Sequence, residues 1–298
     1  MKKVLVFGCL LLLVSVMVGC GARTDTTRYY YSPSWMRDGK IILIGATESV
    51  DKDILGGQLR SSYSQYAMTI YADGTGESSS LFDLTDATPA ALSCSPNSDY
   101  VAYLDDLRSG LYRRIVIRNI ASGQHTELEM AELVFSPGIK SFDWSDDGQR
   151  IVYCTTREVR VRNWNDFTGV TDTLVTPEVN LSFVSWKYGD MIAYVSTSKG
   201  TFLIRSNGTG HSPLLTAGTV VDKPQVSKQD GNLIYGTMND RYVEVNVSGG
   251  TTSEVLANFA GELPRLSPDA TKATYSKAGE ESGIYILNIV AKVETKIK

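Results

Sequence analysis

The sequence predicts an all-β fold, a six-bladed β-propeller of four-stranded antiparallel blades. Three observations predict it. A motif of a tryptophan or another anchor, a polar turn and an apolar strand recurs six times. Each copy is followed by a second alternating strand and a turn rich in Gly, Asn, Asp and Ser. No long amphipathic helix follows the first 20 residues. A chain of 298 residues that is 42% hydrophobic and 21% charged can bury a substantial core. Tyrosine, at 16 residues, suits strands, where the ring packs on a pleated face and the hydroxyl reaches the edge.

The N-terminus is read separately from the fold. Lys2 and Lys3 precede an apolar run from Val4 to Val18, which is short for a bilayer span and long enough for a signal peptide. The run ends in Met17-Val18-Gly19-Cys20, which resembles the bacterial lipobox, with Met17 where Leu is usual. That resemblance implies cleavage of residues 1–19 and lipid on Cys20. Residues 20–28 are then expected to be a lipidated cysteine and a short tether, and 29–298 the folded domain. Lipid chains would hold the protein at a membrane, each buried CH₂ contributing about 0.8 kcal/mol. Loss of Lys2 and Lys3 leaves 27 basic against 33 acidic residues. A net negative chain without a basic cluster is a poor nucleic-acid binder.

The six copies are Trp35–Ile44, Cys94–Tyr103, Trp144–Tyr153, Trp186–Tyr194, Ser227–Tyr235 and Leu266–Tyr275. The later ones recur about every 40 residues, a spacing typical of propeller blades. Second strands follow at Ile115–Asn119, Val159–Asn163, Tyr242–Asn246 and Ile284–Asn288. Turn clusters at Asp73–Gly76, Ala121–Gly123, Asn207–Gly210 and Ser248–Gly250 supply the positive φ that tight hairpins need. The repeat resembles that of the TolB family, close to Ser-Pro-Asp-Gly followed by an apolar strand ending in an aromatic. The resemblance runs from about residue 31 to the C-terminus. Tyr188, Ala270 and Asn97-Ser98 depart from the pattern and put those turn geometries in question. The α/β domain that precedes the propeller in TolB itself is not expected in residues 1–298, which leave no room for it. Two ring closures fit the sequence: Val293–Ile297 as the outer strand of the last blade, or Thr26–Tyr31 completing that blade.

Catalytic groups are sparse. His125 and His211 both fall in turns, which argues against a Ser-His-Asp triad or a histidine metal site. Asp38, Asp147, Asp230 and Asp269 are repeat-turn residues on separate blades, too dispersed to converge on calcium. No metal or cofactor is therefore expected. Cys94 and Cys154 sit in apolar strand patterns and read as buried free thiols. Trp164 is expected to pack against a neighbouring hairpin.

Two features remain as candidate sites. The residue before each motif is polar between apolar neighbours: Ser34, Ser93, Asp143, Ser185, Gln225 and Arg265. Strand alternation puts these six on one face, and in a TolB-like propeller the innermost strand lines the central channel. A polar ring is expected there, holding a small polar ligand or ordered water. The second feature is the stretch between Ile44 and Met68, expected to be a long loop, either a partner-binding lid or functionless and disordered. Its candidates are Asp51, Asp53, Arg60, Tyr63 and Tyr66.

These readings favour an envelope lipoprotein, monomeric and non-enzymatic, that binds another envelope protein. The alternatives are a sensor holding a small polar ligand in the channel, and an envelope hydrolase or lactonase using channel carboxylates. Such hydrolases need converging acids, and Asp143 is the only acid in the predicted ring. Gly21 after the lipid cysteine predicts an outer-membrane anchor facing the periplasm in a two-membrane cell, and the outer face of the plasma membrane in a one-membrane cell.

Overall fold

The computed structural model describes residues 23–298 apart from 53–55, 79, 85–88, 107–111, 133–137, 166–171, 175–178, 187–188, 216–218 and 228, with backbone alone at 90, 112, 129–132 and 172–174. Cys20 and Asp53 lie outside the described residues. Six four-stranded antiparallel sheets follow one another along the chain. Blade 1 is β1 (Arg23–Trp35), β2 (Lys40–Lys52), β3 (Gln58–Tyr71) and β4 (Phe82–Asp83). Blade 2 is β5 (Pro89–Cys94), β6 (Tyr100–Asp106), β7 (Tyr112–Asn119) and β8 (His125–Glu132). Blade 3 is β9 (Ser141–Trp144), β10 (Arg150–Cys154), β11 (Val159–Asn163) and β12 (Asp172–Leu174). Blade 4 is β13 (Leu181–Trp186), β14 (Met191–Ser196), β15 (Gly200–Arg205) and β16 (Ser212–Pro213). Blade 5 is β17 (Asp222–Val226), β18 (Leu233–Met238), β19 (Arg241–Asn246) and β20 (Thr251–Leu256). Blade 6 is β21 (Glu262–Leu266), β22 (Lys272–Lys277), β23 (Gly283–Asn288) and β24 (Val293–Lys296).

The core is divided among the junctions between blades. In β2, Ile41 and Leu43 pack with Ile284 and Ile286 of blade 6, while Ile42 and Ile44 pack with Leu92, Val101 and Tyr103 of blade 2. In β10, Ile151 and Tyr153 face blade 2, and Val152 and Cys154 face blade 4. Both faces of these strands are buried, so their sequences are continuous apolar runs instead of alternating ones. The remaining junctions, blades 4–5 and 5–6, are filled in the same way. A single blade would leave both apolar faces in water, and only the ring covers them.

The ring closes without strand exchange. Thr26–Tyr31 pairs with Ala46, Thr47, Glu48, Ser49 and their neighbours in β2, so it belongs to blade 1. Val293–Lys296 completes blade 6. Of the two closures the sequence allows, the structure takes the first, because β1 continues straight into the Trp35 strand. The closure is fastened by Trp35, whose indole N–H donates to the Arg265 carbonyl at 3.1 Å. Lys298 adds an ion pair to Glu77 and lies 5.2 Å from the Tyr30 ring centre.

The repeat turns are built by side chains. Ser145 Oγ donates to Asp147 Oδ1 at 2.5 Å and accepts from Arg150 N–H at 2.9 Å, and Gln149 N–H donates to the same carboxylate at 2.9 Å. Ser267 and Asp269 repeat this geometry. The turn then needs a left-handed residue. Gly148 supplies it at φ 67°, and Ser98 and Ala270 adopt it at 64° and 53°. At Ser98 and Ala270 the departures from the Asp-Gly pattern therefore preserve the turn at a steric cost of about 1–2 kcal/mol for an L-residue, and Tyr188 lies outside the described residues. Ala270→Gly is expected to relieve that strain and raise the melting temperature by about 2 °C, after the greater freedom of glycine in the unfolded chain is set against it. Thermal denaturation followed by circular dichroism measures this.

Candidate functional site

The six predicted ring residues occupy equivalent places on the inner strands. Each pairs with the second strand one step inside the motif anchor: Ser34 with Ile42, Ser93 with Ala102, Asp143 with Val152, Ser185 with Ala193, Gln225 with Tyr235 and Arg265 with Thr274. In three blades a proline immediately precedes the ring residue. Proline has no N–H for the ladder, and the register shifts there, between Tyr31 and Ser34, Asp222 and Gln225, and Glu262 and Arg265. The residues before these prolines, Ser32, Lys223 and Leu263, take positive φ of 50°, 49° and 46°. These bulges kink the inner strands beside the channel.

Ser34, Ser93, Asp143, Gln225 and Arg265 line one central cavity of about 130 Å³, together with Trp35, Trp144 and Trp186. Ser185 does not line it and instead donates its hydroxyl to Asp143 Oδ2 at 2.9 Å. Asp143 is a junction between blades 3 and 4. Its Oδ2 also accepts Trp186 N–H at 2.9 Å, and its Oδ1 accepts Trp144 N–H at 3.0 Å. Ser34 Oγ accepts Cys94 N–H at 3.0 Å, and the Trp144 indole donates to the Ser93 carbonyl at 3.1 Å. Much of the polar ring thus ties neighbouring blades together. Among the described residues lining this cavity, Asp143 is the only carboxylate.

Arg265 and Asp143 reach towards each other across the channel, 3.8 Å apart at Nη1 and Oδ1. Arg265 is 6% exposed. Burial lowers its pKa and the Asp143 charge works against that fall. A second cavity, about 260 Å³, lies at the other end of the inner strands and is lined by Lys140, Ser141, Ser182, Asp222, Lys223 and Arg265 among others. Among the described residues, Arg265 alone lines both.

The stretch between Ile44 and Met68 differs from the expected loop. It is a β-arm. β1, β2 and β3 continue past the ring as three paired strands, with Arg23 opposite Lys52 and Asp51 opposite Arg60. The arm takes in residues 23–28, where a tether was expected. Thr24 Oγ1 donates to Asp51 at 2.7 Å, and Lys52 pairs with Asp25 at 2.8 Å. Arg60 and Tyr63 are exposed, Tyr63 at 53%, and Leu59 is 62% exposed. Tyr66 is half-buried and lies over Gly45, where a Cβ would come within 2.6 Å of its ring, so it belongs to the base of the arm. β4 covers the outer edge of β3 only at Tyr66 and Ala67, and the following backbone bonds reach no farther than Gln65. Residues 58–64 have no ladder partner on that edge among the described residues.

The fold can now be compared with known ones. The sequence matches no protein-family profile and no curated protein. Solved structures match the fold. A putative TolB from Agrobacterium tumefaciens aligns with TM-score 0.51 and 16% identity, over 78% of this chain and 88% of that one. An oligogalacturonate lyase in complex with manganese aligns at 0.56 and 12%, over 92% and 78%. A chain of a nidogen/laminin complex aligns at 0.58 and 10%, over 91% and 92%. At such identities the likeness is one of fold. The chain shares the propeller fold of TolB.

His125 and His211 are exposed, and His211 Nε2 shares a 2.7 Å hydrogen bond with the Tyr194 hydroxyl while stacking on Phe202. Trp164 packs on Tyr100 and Trp144 between blades 2 and 3, and its indole donates to Gly148 O at 2.8 Å. Cys94 and Cys154 are buried free thiols, each pushed up to about 12 by burial. Neither is expected to react with iodoacetamide in the native protein, and both are expected to react in denaturant. Peptide mass mapping of the two preparations measures this.

Proposed function

We propose that this chain is a non-enzymatic, protein-binding propeller of the TolB-like family, held at a membrane by lipid on Cys20, and that the blade 1 arm is its docking element. The arm carries the proposal. It leaves the ring with both faces largely in solvent, and among the described residues the 58–64 edge of β3 has no ladder partner. Natural edges are commonly blocked by lysine, proline or a bulge. Gln58–Gln65 contains no lysine or proline and one charge, Arg60. Such an edge can add an extended segment of another protein as a further strand, with side chains such as Leu59 and Tyr63 setting specificity. Asp143 supports the non-enzymatic reading, since its two oxygens are held by three donors. Paired-carboxylate hydrolysis needs two acids free to face one bond.

The test is in-cell crosslinking followed by capture. Wild type is expected to recover a specific envelope protein, and a variant with Thr47–Ser64 replaced by Asn-Gly is expected to lose it. Recovery of the same protein by both would place the contact elsewhere. Recovery of the chain itself would make the arm a self-pairing edge. Cys20→Ser is expected to move the protein from the membrane to the soluble fraction, read by fractionation and immunoblot.

A further inference from the structure

We infer that Arg265 is the recognition group of a site for a small organic carboxylate in the central channel, entered from the mouth that carries Lys140 and Lys223. The inference is independent of the arm and its partner. A guanidinium has five N–H donors in a planar fork. That of Arg265 is more than nine-tenths buried, and among the described residues its one ion-pair partner is Asp143 at 3.8 Å, beyond hydrogen-bond distance, while Arg37, Lys140, Asp222 and Lys223 line the same two compartments. Asp143 cannot swing to meet it without releasing Trp144 N–H, Trp186 N–H and the Ser185 hydroxyl. Buried donors take a partner from protein, solvent or ligand, and here the partner must come from the channel.

The chemistry of the walls selects the ligand. A carboxylate matches the guanidinium fork with two parallel hydrogen bonds. Asp143 offsets the charge of Arg265 at the centre of the channel, and the exposed Arg37 also lines the smaller compartment, so a further negative charge is accommodated beside Arg265. The larger compartment adds Lys140 and Lys223 against Asp222, which biases that mouth towards anions. Ser93 and Gln225 in the smaller compartment can hydrogen-bond neutral polar substituents. That compartment, at about 130 Å³, is of the size that holds a molecule of a few heavy atoms. The site therefore fits a free metabolite-sized acid.

Trp35, Trp144 and Trp186 line the smaller compartment and provide the readout. The full chain in non-ionic detergent is titrated with sodium acetate, succinate and glutamate, against sodium chloride at matched ionic strength, while tryptophan emission is followed. A saturable change with at least one carboxylate and none with chloride is expected. Arg265→Gln is expected to raise the apparent Kd about 10- to 100-fold, and Arg265→Lys to leave an intermediate affinity. No saturable change with any of the three acids, an equal response to chloride, or an unchanged Kd in Arg265→Gln would overturn the site. If Arg265→Gln lacks the wild-type far-UV circular dichroism, Lys140→Gln with Lys223→Gln replaces it. That pair is expected to weaken binding several-fold, and unchanged affinity would overturn the inference.

Discussion

Asp143→Ala is expected to lower the stability of the propeller by about 3–5 kcal/mol, read as a fall in the urea midpoint without a change in slope. Two losses combine. Trp144 N–H, Trp186 N–H and the Ser185 hydroxyl lose their acceptor at the junction of blades 3 and 4. Arg265 loses the one carboxylate near it and is left as an uncompensated buried charge. Asp143→Asn keeps a carbonyl acceptor and is expected to cost less. Combining Asp143→Ala with Arg265→Met is expected to recover part of the loss, because an apolar replacement of a buried pair is far less costly than leaving half of it. If Asp143→Ala alone changed the midpoint little, the ring would be held by the apolar junctions without this polar lock.

Replacing Thr47–Ser64 by Asn-Gly is expected to abolish partner capture while shifting the melting temperature by only a few degrees. Ala46 and Gln65 are register partners, so a two-residue turn joins them without disturbing the strands below. What is removed is the exposed outer strand 58–64 and the half-buried middle strand 47–52, which frees residues 23–28 of their partner, and the ion pairs lost, such as Lys52 with Asp25, are surface pairs of small worth. The base of the arm stays, with Tyr66 over Gly45 and Gln65 bonded to Tyr31. The six apolar junctions are untouched. A cooperative transition close to wild type, with capture lost, would separate the docking element from the scaffold.

The fold was legible because each blade repeats the same local chemistry. Trp35, Trp144 and Trp186 mark the inner-strand ends, and Ser-Asp turns such as Ser145–Asp147 mark the hairpins. The ring residues were legible from one polar position between apolar neighbours, and five of the six line one cavity. Ser185 was placed correctly on the strand, but its bond to Asp143 depends on how blades 3 and 4 approach, which alternation alone does not encode. The meeting of Arg265 with Asp143 likewise depends on the narrowness of the channel. The arm was misread as a loop for a physical reason. Neither face of it is buried, so Thr24–Arg28, Thr47–Asp51 and Arg60–Ser64 carry no apolar alternation. Their strand signal is only the abundance of Thr, Ser, Tyr and Val, which a polar loop also tolerates. The prolines before Ser34, Gln225 and Arg265 were visible in the sequence, and their link to register shifts needed the pairing.

A photoreactive amino acid placed at Leu59 or at Tyr63, and as a control at Val290, tests whether the arm is the docking element. Val290 is 81% exposed in blade 6, away from the arm. Irradiated cells are expected to yield the same crosslinked envelope protein from both arm positions and none from Val290. No crosslink from the arm, or equal crosslinks from Val290, would contradict the assignment of the arm as the docking element.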